Sequence, residues 1–390
     1  MPTTCTRLWF ASFCRALAVL WTVVSVGALA SADGTTNGLV RTERGFGFQR
    51  EEIAEGPWVA HIFRFDRSRS DLVLTTTLGD SNRLGMSTIS EQMRAFPSGL
   101  GRPLAALNGD FYKDEQEIPG DPRDLQIRHG ELISAPAGHA CFWMDAAGNP
   151  HCTNVQSRLR VIWPDATETP IGLNELREND AAVLYTGAAG AATPDRSGTE
   201  LVLEKPGTSS DGWLPLRPGR KVQARVREVR KSGVTPLDRE ILVLSVGPKL
   251  TAPATVGSII QIVPETVPDL TGVTTAIGGG PTLVRNGKAM EWSGFLLRHP
   301  RSAVGWNQDQ IFLVEVDGRQ SQSVGMTFPE LADFLVKLGC QNAMNLDGGG
   351  SATMWVFGQV MNSPSEGQER PGANALVVLL KKPEPGQVGR

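Results

Sequence analysis

The chain is poor in the residues that staple small proteins or hold metals. Its 390 residues include 5 cysteines and 5 histidines, with no Cys-x-x-Cys pair and no His/Cys cluster of zinc-ligand spacing, so neither a metal nor another cofactor is expected. Charged residues make up 20% and the formal net charge is −3. No overall basic field draws nucleic acid or an anionic membrane. Beyond the N-terminus there is no apolar run of membrane length and no internal repeat. Glycine (43), proline (26) and apolar residues (40%) are plentiful. That mixture predicts many turns and short strands around a sizeable core. Collagen, a coiled coil and wholesale disorder are excluded.

Residues 1–32 hold Arg7 and Arg15, no acidic residue, and an apolar run from Ala16 to Leu29. Small-x-small cleavage sites follow at Ala28-Leu29-Ala30 and Ala30-Ser31-Ala32. This is the pattern of a secretory signal, and the run is too short and too broken by Gly and Ser for a firm membrane span. The expectation is a secreted or periplasmic protein without stable membrane insertion after cleavage; an uncleaved anchor is the alternative. Export favours disulfides. Cys141 and Cys152 flank a turn-like Ala146-Ala147-Gly148-Asn149-Pro150, which predicts a bridge across a hairpin. Cys340 follows a helix and reads as a small buried apolar residue.

Residues 33–54 are polar and read as a leader, and 381–390 as a polar tail. Between them, 55–380 read as one domain with a β-rich inserted or peripheral segment at about 180–263. Thr88 and Glu91, like Thr327 and Glu330, have capping-box spacing. The first predicts a short helix to about Ala95. The second predicts a helix over 328–338, where Leu331, Phe334, Leu335 and Leu338 recur at helical spacing before Gly339. The fold expected is α+β, with mixed sheets of short strands and a few helices.

Three short apolar strands run into polar, glycine-rich turns: Asn108-Gly109-Asp110, Gly278-Gly279-Gly280, and Asp347 through Gly348, Gly349, Gly350 and Ser351. Successive glycines let backbone approach a ligand closely, and their N–H groups can converge on an anion. A plain turn is the competing reading of each. A phosphate-binding Walker loop is excluded because no Gly-Lys-Ser/Thr follows. A dinucleotide fingerprint fails because no helix follows, and Gly-x-Ser-x-Gly is absent around Ser351. Arg301, in His299-Pro300-Arg301, offers a planar fork for phosphate or for a structural ion pair. Glu315 lies within an apolar strand, where a buried carboxylate needs a partner.

Asn108-Gly109-Asp110-Phe111-Tyr112, Ile277 through Gly287, His299 through Gly305, Asn345 through Ser351, and Arg370 through Leu376 occur in an order that resembles the phosphodiester glycosidase family. The resemblance spans roughly residues 55–380 and suggests a bacterial-type secreted member. It implies hydrolysis of the bond between a sugar anomeric carbon and a phosphodiester, giving free sugar and a phosphomonoester. The transition state of such a reaction carries positive charge on the sugar and negative charge on the departing phosphate. Carboxylates must therefore face the sugar and donors the phosphate. The catalytic set this implies is Asp347, Asp110, Arg301 and Glu315. Substrate contacts fall to Asn108, Gly279, Gly280, His299, Gly348, Gly349, Gly350, Ser351 and Asn374. The expected partner is a glycan or sugar phosphodiester, with exopolysaccharide one possible source; the oligomeric state stays open. A non-catalytic glycan-binding protein of the same fold is the runner-up, and a serine hydrolase using Ser351 with His299 a third reading.

Overall fold

A computed structural model describes residues 35–43, 45–113, 117–207, 212–231, 233–293 and 296–382. The signal-like segment 1–32 and residues 383–390 of the expected tail lie outside the described residues. Strands make up 45% and helices 6%, so the fold is mostly β.

Two sheets stack face to face. The larger has eight strands in the order 35–43, 46–53, 58–66, 310–316, 301–306, 342–345, 282–285, 288–289. The smaller has five, in the order 359–360, 354–356, 102–108, 375–380, 72–76. Phe46, Phe63, Phe65, Leu313 and Val304 of the first meet Leu104, Leu107, Met354, Leu376 and Val378 of the second in one core. Each helix covers an outer face. Helix α1 (Ile89–Arg94) packs Ile89 and Met93 on Ala106, Ala375 and Val377. Helix α2 (Phe328–Lys337) packs Leu331, Ala332 and Leu335 on Ala60, Phe312 and Val314. Strand alternation explains the division: Phe312 and Val314 face α2 while Ile311 and Leu313 face the second sheet. Both capping boxes form, at Thr88/Glu91 and Thr327/Glu330, and each cap stabilises its helix by about 1 kcal/mol.

The segment read as a leader supplies strands Thr35–Glu43 and Phe46–Ile53, paired with each other and, through the second, with Trp58–Asp66. The β-rich stretch at 180–263 does not stand apart. Its strands form one end of a twelve-stranded sheet and join it where Ile259–Val267 pairs with Pro150–Ile162. Farther across that sheet, strands Ala137–Met144 and Thr275–Gly278 are buried on both faces. Cys141 and Ala276 point into the core of the twelve-stranded sheet, whereas Phe142 and Ile277 point into the sandwich core. These two strands fuse the parts of the molecule.

They also explain why the expected disulfide is absent: Cys141 and Cys152 are free thiols. Cys141 pairs with Thr153, and Cys152 with Phe142. A one-residue offset sends the two side chains to opposite faces of the sheet. Cys141 accordingly packs in one core and Cys152 against the other.

Candidate active site

Three strand ends, one from each large sheet, meet at a single point. Strand Arg102–Asn108 delivers Asp110, Thr275–Gly278 delivers the glycine run, and Asn342–Asn345 delivers Asp347. The Asp347 N–H donates to Gly109 O at 2.9 Å, and the Gly280 N–H to Asn345 O at 2.7 Å. Gly278 has no room for a side chain, since a Cβ there would stand 2.3 Å from Asp110 Oδ2.

Asp110 is 3% exposed. Its Oδ2 accepts the Asp124 N–H at 2.8 Å, while Oδ1 lacks a hydrogen-bond partner among the described residues. Burial, reinforced by the neighbouring Asp124 carboxylate, pushes Asp110 up to about 8. Asp110 is therefore largely protonated at neutral pH. Asp124 is wholly buried and accepts from the Leu125, Ala137 and His139 N–H groups, from the Cys141 thiol, and from His139 Nδ1 at 2.7 Å. The His139 side chain is half exposed, so a carboxylate–imidazole pair runs from beside Asp110 to solvent.

Asp347 is half-buried. Its Oδ1 accepts the Gly348 N–H at 2.8 Å. Burial raises it above the usual carboxylate range, opposed by the Ser351 hydroxyl, the Gly348 N–H, Arg370 and Arg123. Arg123 interacts electrostatically with both Asp110 and Asp347. It donates to Gly279 O at 2.8 Å and lies over the Phe111 ring at 4.1 Å.

The cationic wall differs from the one expected. The Arg301 Nε and Nη2 donate to the carbonyls of Met326 and Leu297, and its guanidinium lies 4.1 Å over the Phe328 ring. Strand alternation puts Arg301 on the α2 side of the sheet, with Ala303, while Ser302 faces the sandwich. Three other arginine side chains act on or reach the Asp347 loop. Arg123 is the first. A Cβ on Gly350 would touch Arg370, which is ion-paired with Glu366. A Cβ on Gly349 would stand 3.0 Å from Arg319. Arg319 Nη2 donates to His299 Nδ1 at 3.3 Å. Burial and the two cations Arg301 and Arg319 depress His299, so a neutral imidazole accepts at Nδ1.

Several expected substrate contacts turn out to hold the site together. Asn108 is fully engaged: Nδ2 donates to Asp347 O, and Oδ1 accepts from Ser302 and from the Thr353 N–H. Asn374 accepts the Asp110 N–H and donates to Gln126. The Gly348 N–H goes to Asp347 and the Gly349 N–H to Pro300 O, which commits two of the three amides expected to bind an anion. Glu315 lies apart, wholly buried beside Asp317 and His61. A surface depression of about 750 Å³ lies elsewhere, between Arg160, Glu168, Glu265 and Thr271. Arg160 is already paired with both glutamates.

Arg123, Asp124, His139, Arg319 and Arg370 escaped the sequence reading. Arg319 and Arg370 carried a signal, directly after Asp317-Gly318 and at the head of the Arg370–Leu376 motif. Arg123 and Asp124 carried none, because only the fold brings them to Asp110.

Parts of the chain are similar to known proteins. A bovine N-acetylglucosamine-1-phosphodiester alpha-N-acetylglucosaminidase is 45% identical over 67 residues, 17% of this chain and 12% of the bovine protein. An uncharacterised prophage-derived protein of Bacillus subtilis is 35% identical over 95 residues, 24% of this chain and 15% of that one. The matched stretches thus cover less than one-sixth of these relatives' length. A solved structure from Synechocystis superposes with a TM-score of 0.69 at 18% identity, covering 88% of this chain and 64% of its own, and shares the fold. Residues 219–379 match the sequence model of phosphodiester glycosidases, and over that segment the chain is similar to this family.

Proposed function

We propose that the protein hydrolyses the bond between a sugar anomeric carbon and a phosphodiester, acting outside the cytoplasm on a glycan or glycan-derived substrate. The observation that carries this reading is the pairing of two unlike carboxyl groups with an arginine-rich rim. Asp110 is buried and largely protonated at neutral pH, while Asp347 is half-buried and faces Arg123 and Arg370.

In this reading the sugar ring sits against Asp347, whose carboxylate stabilises the developing cation at C1. The phosphate sits against Arg370, Arg319 and the neutral His299. Water adds to C1 and gives up a proton to solvent, the bond from C1 to the phosphate oxygen breaks, and the phosphomonoester leaves with the bonding electrons. Phosphate is a good leaving group, so proton donation is less demanding than for an ordinary glycoside. Asp110 holds a proton that it can supply, and the Asp124–His139 pair offers a route for replacing it. Arg123 acts on both acids and, with Arg370, the Ser351 hydroxyl and the Gly348 N–H, opposes the burial that raises Asp347. Support for export comes from the charged and apolar pattern of residues 1–32.

The test is incubation of the purified protein with a panel of α-linked sugar-1-phosphodiesters and assay of free reducing sugar. Release is expected for at least one sugar, and Asp347→Asn should slow it at least about tenfold, or ~1.4 kcal/mol of barrier. An Asp347→Asn variant with undiminished turnover would remove that carboxylate from the chemistry.

A further inference from the structure

Away from the two catalytic loops, three side chains meet on the inner face of the eight-stranded sheet. His61 and Glu315 are direct partners in the register of strands Trp58–Asp66 and Gln310–Val316, and Asp317 follows two residues later. All three are buried, at 1%, 0% and 5% exposure. One nitrogen or oxygen from each lies within 4.8 Å of one from each of the others. His61 Nε2 and Asp317 Oδ2 are 3.1 Å apart.

The cluster is short of partners. Neither oxygen of Glu315 has a hydrogen bond of ordinary geometry, and His61 Nδ1 has none. Asn362 lies beside Glu315; its oxygen accepts the Met354 N–H and one amide hydrogen goes to Ala352 O, which leaves one hydrogen to face Glu315. Two carboxyl groups side by side in a core, one with a single amide hydrogen at most, are costly unless a cation joins them. The surroundings resemble a support for metal ligands. Asp317 Oδ1 accepts the Ser363 N–H at 2.8 Å, Ser323 donates to Asp317 O at 2.6 Å, and the Phe48 ring stacks on His61. Fixed ligand orientation of this kind is what outer contacts supply at metal sites.

We propose that His61, Glu315 and Asp317 bind a single divalent transition-metal ion, with zinc the best match to one imidazole and two carboxylates. A nitrogen donor with two oxygens suits zinc better than magnesium or calcium, which take oxygen alone. A divalent ion neutralises both carboxylates, takes up the free Glu315 oxygens, and leaves a fourth position for water. It ties the first residues of strand Trp58–Asp66 to the loops at 317–325 and 362–363. Glu315 also pairs in register with Ser302, the residue that supports Asn108, so the ion braces the catalytic loops from below. The site does not depend on the proposed hydrolysis.

The test is metal analysis and zinc titration of the purified full chain after dialysis against a chelator, followed by thermal melts. About one zinc per chain should bind, and the melting temperature should rise in zinc and fall in chelator. His61→Ala and Glu315→Gln should each weaken zinc binding at least about tenfold. Asp347→Asn should still bind one equivalent. Glu315→Gln preserves shape, so it decides the matter if His61→Ala fails to fold. Identical melting in zinc and chelator, zinc binding unchanged in both ligand variants, or preference for calcium or magnesium would each overturn the assignment.

Discussion

Asn108 holds Asp347 by its carbonyl: the Asn108 amide nitrogen donates to Asp347 O at 2.7 Å across 239 residues of sequence. The next residue, Gly109, accepts the Asp347 N–H at 2.9 Å. The two loops that carry the acids are thereby joined through backbone, and the site is assembled before any ligand arrives. Such preorganisation is what a charged transition state requires.

Truncating that link should damage the fold and the chemistry together. Asn108→Ala leaves Asp347 O, the Thr353 N–H and the Ser302 hydroxyl without their partner. Loss of about 2 kcal/mol or more is expected, since each stranded buried group costs ~1–3 kcal/mol. Urea denaturation should show a lower midpoint at unchanged slope. A shift under about 0.5 kcal/mol would mean that other contacts hold the loops.

The arginines should separate by role. Arg370→Ala and Arg319→Ala should each lower kcat/KM at least about tenfold while the fold persists. Arg301→Ala should leave kcat/KM nearly unchanged and lower the melting temperature. It removes two hydrogen bonds to carbonyls and a cation over Phe328. Steady-state kinetics beside thermal melts decide the matter, and the reverse pattern would restore Arg301 to the phosphate.

Much of this architecture was legible. Both capping boxes fixed their helices, and alternating apolar residues marked strands such as Val222–Lys231. Asp110, Gly278 and Asp347 were visible because glycine beside a carboxylate at a strand end is costly without a reason. Arg301 sits in a dense motif, but the direction of its side chain is set by strand alternation and by Phe328, which lies 27 residues away in sequence. The thiols misled for the same reason, through a one-residue register offset that no spacing reveals. The 35–53 hairpin read as a leader because its sequence is polar and glycine-containing.

Asp110 should leave a mark on the pH dependence of stability. Its carboxyl is raised from 3.8 to about 8 in the folded protein. The folded state therefore keeps a proton that the unfolded chain gives up above pH ~4. The stability this group contributes is fully present below that pH and is lost as pH rises through about 8. Asp110→Asn cannot titrate, so wild type should lose more stability than the variant between pH 5 and 9. Denaturation curves at three pH values test this, and parallel losses would show Asp110 ionised throughout. If Asp110 donates the proton, kcat/KM should also fall above pH ~8.

The thiols supply a simple check of register. Cys141, Cys152 and Cys340 should remain blocked to a thiol reagent in the native protein and react after unfolding without reductant. Burial raises all three thiols above their ordinary range. Reductant should not change the melting temperature. A mass two hydrogens lighter, with a Cys141–Cys152 cross-linked peptide, would contradict the strand pairing.

The central claim is that the bond broken is the one at the sugar carbon. Hydrolysis in water enriched in heavy oxygen, with mass analysis of both products, tests it directly. The account predicts heavy oxygen on the anomeric hydroxyl of the released sugar and none in the phosphomonoester. Label in the phosphate would mean that water attacks phosphorus, and the glycosidase account of Asp347 would be wrong.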